Sequence, residues 1–134
     1  MAKILVVDND TEMLFAIQVC LESVGHEMIG VGNWLEGWQM IKTDRPDLII
    51  LSVMIDSTLE ALQLAFRLRS PIPLPGHSTF ADIPILALTS MTLLCFDPER
   101  DYLPVDDYVS TPINPDDFLQ KIKALVGPDV LSQQ

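Results

Sequence analysis

The chain is poor in the residues from which most chemistries start. Its 134 residues include two cysteines, two histidines and eight lysines and arginines. Cys20 and Cys95 lie far apart, each in an apolar neighbourhood and without metal-ligand spacing. They are expected as buried free thiols, which argues against a disulfide framework and fits a reducing cytoplasm. No apolar run approaches the ~18 residues that span a bilayer. Met1-Ala2-Lys3-Ile4 leads straight into a strand pattern and lacks the apolar stretch of a signal peptide. A cytoplasmic location without membrane attachment is the expectation.

Positive charge is equally scarce. Eight basic residues stand against 19 acidic ones, for a formal net charge of −11. A nucleic-acid surface needs clustered Lys and Arg to displace phosphate counterions, and here they are scattered. Between Asp97 and Asp107 five acids face Arg100 alone. That acidity is expected as solvated surface, with a basic protein partner as the minority reading. Nucleic acid is therefore not expected as a partner. With His26 and His77 as the only histidines, no nucleophile–base or acid–base constellation is visible, so no enzyme is expected. A glycine-rich phosphate loop and internal repeats are also lacking.

What is present is an alternation of buried runs and amphipathic stretches, the pattern of βαβ units around a parallel sheet. Ile4-Leu5-Val6-Val7 reads as a first strand and ends in Asp8-Asn9-Asp10. Asn9 and Glu12 read as a cap pair, Leu14, Ile17, Leu21 and Val24 follow at helical spacing, and Gly25 stops the helix. His26 to Val31 reads as a second strand. Trp34 to Thr43 reads as a helix with Leu35, Trp38 and Ile41 inward. Asp47 to Leu51 is a third strand capped by Ser52, and a third helix is expected from about Thr58 to Arg69. The stretch 70–83, with Pro71, Pro73 and Pro75 alternating, excludes helix and central strand and favours an extended arm. Ile85 to Leu88 ends in Thr89-Ser90, and Tyr108 to Ser110 ends in Thr111-Pro112. Between them, Pro98 and Pro104 leave room for only a short helical turn. A last helix starts at Asn114 with Pro115 in its first position, and turns Phe118, Ile122, Leu125 and Val126 inward.

In an open parallel sheet the C-terminal strand ends converge on one crevice, where ligands sit. The layout resembles the receiver domain of two-component response regulators over roughly residues 2 to 127. The resemblance implies an α/β, flavodoxin-like, doubly wound five-stranded parallel sheet of order 2-1-3-4-5, with helices on both faces. One domain, 1–127, and a frayed tail, 128–134, are expected. In that family two adjacent acids and an acceptor aspartate hold Mg2+. A hydroxyl after the fourth strand and a lysine before proline after the fifth bind the phosphoryl group. Mapped onto this chain, Asp8 matches the first acid and Asn9 replaces the second, with Asp10 expected to cap a helix. Ser52 replaces the acceptor, Thr89 matches the hydroxyl, and Thr111 replaces the lysine while Pro112 is kept. Thr89 and Tyr108 match the pair that the family couples to its switch.

Mg2+ is a hard ion that asks for carboxylates and water, and only Asp8 supplies a carboxylate, so no metal or other cofactor is expected. Ser52 lacks an adjacent base and the balancing lysine, so phosphotransfer to it is not expected. The resemblance therefore implies an atypical, pseudo-receiver form in phosphorelay signalling that acts by protein–protein interaction. A histidine kinase or another regulator is the partner class, and the state is monomer or weak homodimer. Two alternatives stay open: a working receiver using Asp8 or Asp56, and a small-molecule sensor whose ligand fills the crevice.

Overall fold

A computed structural model describes residues 2–53, 68, 82–90 and 105–126. The elements run β1 (Lys3–Val7), α1 (Thr11–Glu22), β2 (Glu27–Val31), α2 (Trp34–Asp44), β3 (Leu48–Val53), β4 (Ile85–Ser90), β5 (Asp107–Thr111) and α3 (Pro115–Val126). All five strands pair in parallel, in the order β2-β1-β3-β4-β5. This is the flavodoxin-like arrangement that the resemblance to receiver domains implied. The third helix, most of the 70–83 stretch and the 91–104 connection lie outside the described residues, apart from Leu68, Asp82 and Ile83.

Strand geometry sorts the side chains onto two faces. Ile4 and Val6 of β1, Leu48 and Ile50 of β3, and Leu86 and Leu88 of β4 share one cluster with Ile17 and Leu21 of α1 and Phe118 and Ile122 of α3. Leu5, Ile49, Leu51 and Ile85 face the other way, against Trp38 and Ile41 of α2 and Leu68. Both faces are dry, which is why these strands read as unbroken apolar runs rather than alternating ones. Each fully buried Leu or Ile contributes about 1.5–3 kcal/mol by leaving water.

The helix boundaries have identifiable causes. Asp10, not Asn9, is the N-cap of α1: its Oδ1 accepts from the N–H of Glu12 at 3.0 Å and of Met13 at 3.4 Å. Both residue types cap well, and only the backbone path decides between neighbours. At the other end His26 N–H reaches Leu21 O at 3.0 Å and Gly25 N–H reaches Glu22 O at 3.1 Å. That bond pair is a Schellman motif, and it puts Gly25 at φ +88°, where a side chain would be strained. Asn33 caps α2 through Glu36 N–H at 2.9 Å, and Asn114 caps α3 through Asp117 N–H at 3.1 Å.

Three inward assignments are corrected. Leu35 is 54% exposed and Gly37 takes its buried place on α2, while Val24 lies beyond the end of α1 in the turn and is exposed. Cys20 is a free thiol as expected, but half-buried against the core rather than sealed within it.

Candidate functional site

The crevice forms where β1 and β3 end side by side. Register pairs Val7 with Leu51, so Asp8 and Ser52 stand one step further, at the C-terminal edge. Both continue the rows 4-6-8 and 48-50-52 that face α1 and α3. Asp8 extends the ladder by donating its N–H to Val31 O at 3.0 Å. Its side chain is 4% exposed, and that of Ser52 is 7% exposed. Asp8 Oδ1 accepts the Asp10 N–H at 2.9 Å, which fixes the turn into α1. Asp8 Oδ2 and Ser52 Oγ are both shielded from solvent and without a hydrogen-bond partner among the described residues.

Burial raises the pKa of Asp8 above the usual carboxylate value, and the Asp10 N–H, the neighbouring Ser52 hydroxyl and the Asp10 charge modify it less. Ser52 is thus close enough to ease the charge on Asp8, although no bond of acceptable geometry joins them. Asn9 and Asp10 are both exposed, and the Asp10 carboxylate is committed to the helix cap. The structure therefore brings together Asp8 and Ser52, while Asn9 and Asp10 lie exposed and the Asp10 carboxylate serves the α1 cap. Among the described residues no group of three or more His, Cys, Asp or Glu side chains is placed to hold a metal ion.

The remaining positions are placed by register. Thr89 sits beside Val53 in β4, and Thr111 ends β5 beside Ser90, so both lie at the crevice end of the sheet. Pro112 follows and is exposed. Tyr108 pairs with Ala87, further from the crevice, with 43% of its surface exposed. Asp56 lies outside the described residues.

Sequence reasoning missed Lys121. Its Nζ donates to Tyr108 O at 2.7 Å, lies 5.6 Å from the centre of the Tyr108 ring and 3.8 Å from Asp107 Oδ1. Thirteen residues separate lysine and tyrosine, and no local pattern announces a contact between a strand and the second turn of the helix after it.

No protein-family model matches the chain. It is 30% identical over 129 residues to the alkaline phosphatase synthesis transcriptional regulatory protein PhoP of Bacillus subtilis, covering 92% of this chain and 48% of that protein. To the phosphate regulon transcriptional regulatory protein PhoB of Pseudomonas aeruginosa it is 29% identical over 123 residues, covering 92% and 51%. The chain thus spans about half the length of the curated relatives it matches. Its fold matches a putative response regulator from Chloroflexus aurantiacus with a TM-score of 0.76 at 22% identity, over 93% of this chain and 97% of that one. It also matches the receiver domain of a sensor histidine kinase from Pseudomonas aeruginosa, with a TM-score of 0.77 at 19% identity, over 94% and 98%. That structure has a magnesium ion coordinated in its active-site cleft.

The fold is that of the signal-receiver domain. The homologues and structural neighbours of this chain are response regulators of two-component signalling and their receiver domains.

Proposed function

We propose that the chain is a phosphorylation-deficient receiver that works by binding other signalling proteins, a histidine kinase or a further regulator, in the cytoplasm. The observation that carries this reading is Ser52, a neutral alcohol buried at the end of β3 beside Asp8. Phosphoryl transfer to a receiver is catalysis by positioning and charge neutralisation. Here the nucleophile position carries a hydroxyl that no hydrogen bond joins to the Asp8 carboxylate, and the position expected to supply a balancing cation carries Thr111. One shielded carboxylate oxygen and one hydroxyl do not fit a Mg2+ ion, which holds near-octahedral geometry through carboxylates and water. The raised pKa of Asp8 and the shielding of its Oδ2 also make it a poor substitute acceptor.

The test is incubation with acetyl phosphate, or beryllofluoride, and Mg2+, read by intact mass and by magnesium titration. Unchanged mass and no saturable magnesium binding are the expected results. A phosphoryl adduct on Asp8, Ser52 or Asp56 overturns the reading in favour of an unconventional working receiver.

A further inference from the structure

A second concave site lies away from the crevice, along the outer flank formed by the end of α1, the start of β2 and the length of α3. It is a groove of about 370 Å3 lined by Val24, His26, Asp116, Leu119, Gln120 and Lys123. His26 is its unusual member. The residue is only 4% exposed, and its Nδ1 accepts the Ala2 N–H at 3.1 Å. An imidazole that accepts at Nδ1 carries its proton on Nε2 when neutral, and burial keeps this ring neutral by lowering its pKa. Nε2–H has no partner among the described residues, and His26 is one of the residues that line the groove.

The rest of the lining follows from helix geometry. Asp116 and Lys123 are seven residues apart, so they share a face of α3 about 10 Å apart along its axis, too far to pair with each other. Both are exposed, and neither makes an ion pair among the described residues. Leu119 and Gln120 lie between them in sequence on α3, and Val24 joins the lining from the turn after α1. The groove therefore carries opposite charges two helical turns apart, Asp116 and Lys123, with His26, the Gln120 amide and the hydrocarbon of Leu119 and Val24 completing its wall.

We infer that this groove binds a short ω-amino acid, its carboxylate received by His26 and Lys123 and its ammonium by Asp116. The inference is independent of what the crevice does, and its test leaves the crevice untouched. Intact protein, isotopically labelled, is titrated with 6-aminohexanoate, with hexanoate and hexylammonium as half-ligands that each lack one charge. The expected result is saturable shifts of the His26 ring nitrogens and of the Lys123 and Asp116 amides with 6-aminohexanoate. Each half-ligand should bind at least about tenfold more weakly. Lys123→Gln and Asp116→Asn, both at exposed positions where the fold survives the loss of a helix-end charge, should each weaken 6-aminohexanoate about tenfold. Absence of saturable shifts, equal affinity for a half-ligand, or undiminished binding by both variants means a merely hydrated groove and overturns the proposal.

Discussion

Asp8 carries the electrostatics of the crevice, and its pH dependence has a definite sign. Because burial holds its pKa above the unfolded value, the folded protein keeps this proton longer than the unfolded chain. The group's contribution to stability is therefore most favourable below the unfolded carboxylate pKa and declines as pH rises through the folded one. Asp8→Asn should raise the melting temperature at pH 7, and the gain should shrink to nothing in acid. Thermal unfolding across pH checks both parts, and a gain that persists at low pH contradicts the burial argument. Ser52→Asp makes the complementary case. A second carboxylate beside Asp8 lowers stability at neutral pH by about 2–4 kcal/mol, because one buried acid cannot ionise next to another without a counter-ion. Millimolar Mg2+ should recover much of that loss in the variant and leave the parent's melting temperature where it was. The nearness of Asp8 and Ser52 was legible in the sequence, because adjacent parallel strands end together. The capping role of Asp10 was legible too, from an acid at the start of a helix, whereas its selection over Asn9 as the cap depends on the chain path.

At the scale of elements, α1 is held at both ends by named residues. Asp10→Ala removes the acceptor for the Glu12 and Met13 N–H groups and should cost about 1 kcal/mol. Gly25→Ala should cost roughly 1–2 kcal/mol. Nothing lies within 4 Å of the added Cβ, so the loss there is backbone strain alone. Denaturant melts of the two variants separate them, because Gly25→Asn should recover part of the second loss and no such rescue exists for the first. The strands were the most legible elements because burial on both faces leaves long apolar runs bounded by polar turns. Helix faces were less legible. Leu35 fits the helical spacing of Trp38 and Ile41 as well as any inward residue, yet Gly37 is the one that is buried. Periodicity gives an angle around the axis, and the depth at which the helix sits decides which residues are covered.

The whole molecule is strongly acidic, and its net charge of −11 on 134 residues makes the compact state repel itself. Raising sodium chloride from about 0.05 to 0.5 M should therefore raise the melting temperature by a few degrees, as the screening length contracts to a fraction of the molecular radius. A flat or falling response would mean that local ion pairs, not global repulsion, dominate. Arg45 and Asp82, 2.8 Å apart on the surface, are a pair that salt weakens, but exposed bridges of this kind contribute little. Among the described residues the order of the sheet also leaves β5 as a rim strand, with one side of its backbone facing away from β4. Such a rim is an invitation to a stray strand from another molecule. By laying its amine on the Tyr108 carbonyl, 5.6 Å from the ring centre, Lys121 withholds one acceptor from that side and plants a cation across the approach. The contact that looks like an ornament on the last helix thus doubles as a guard against edge-to-edge fibre growth.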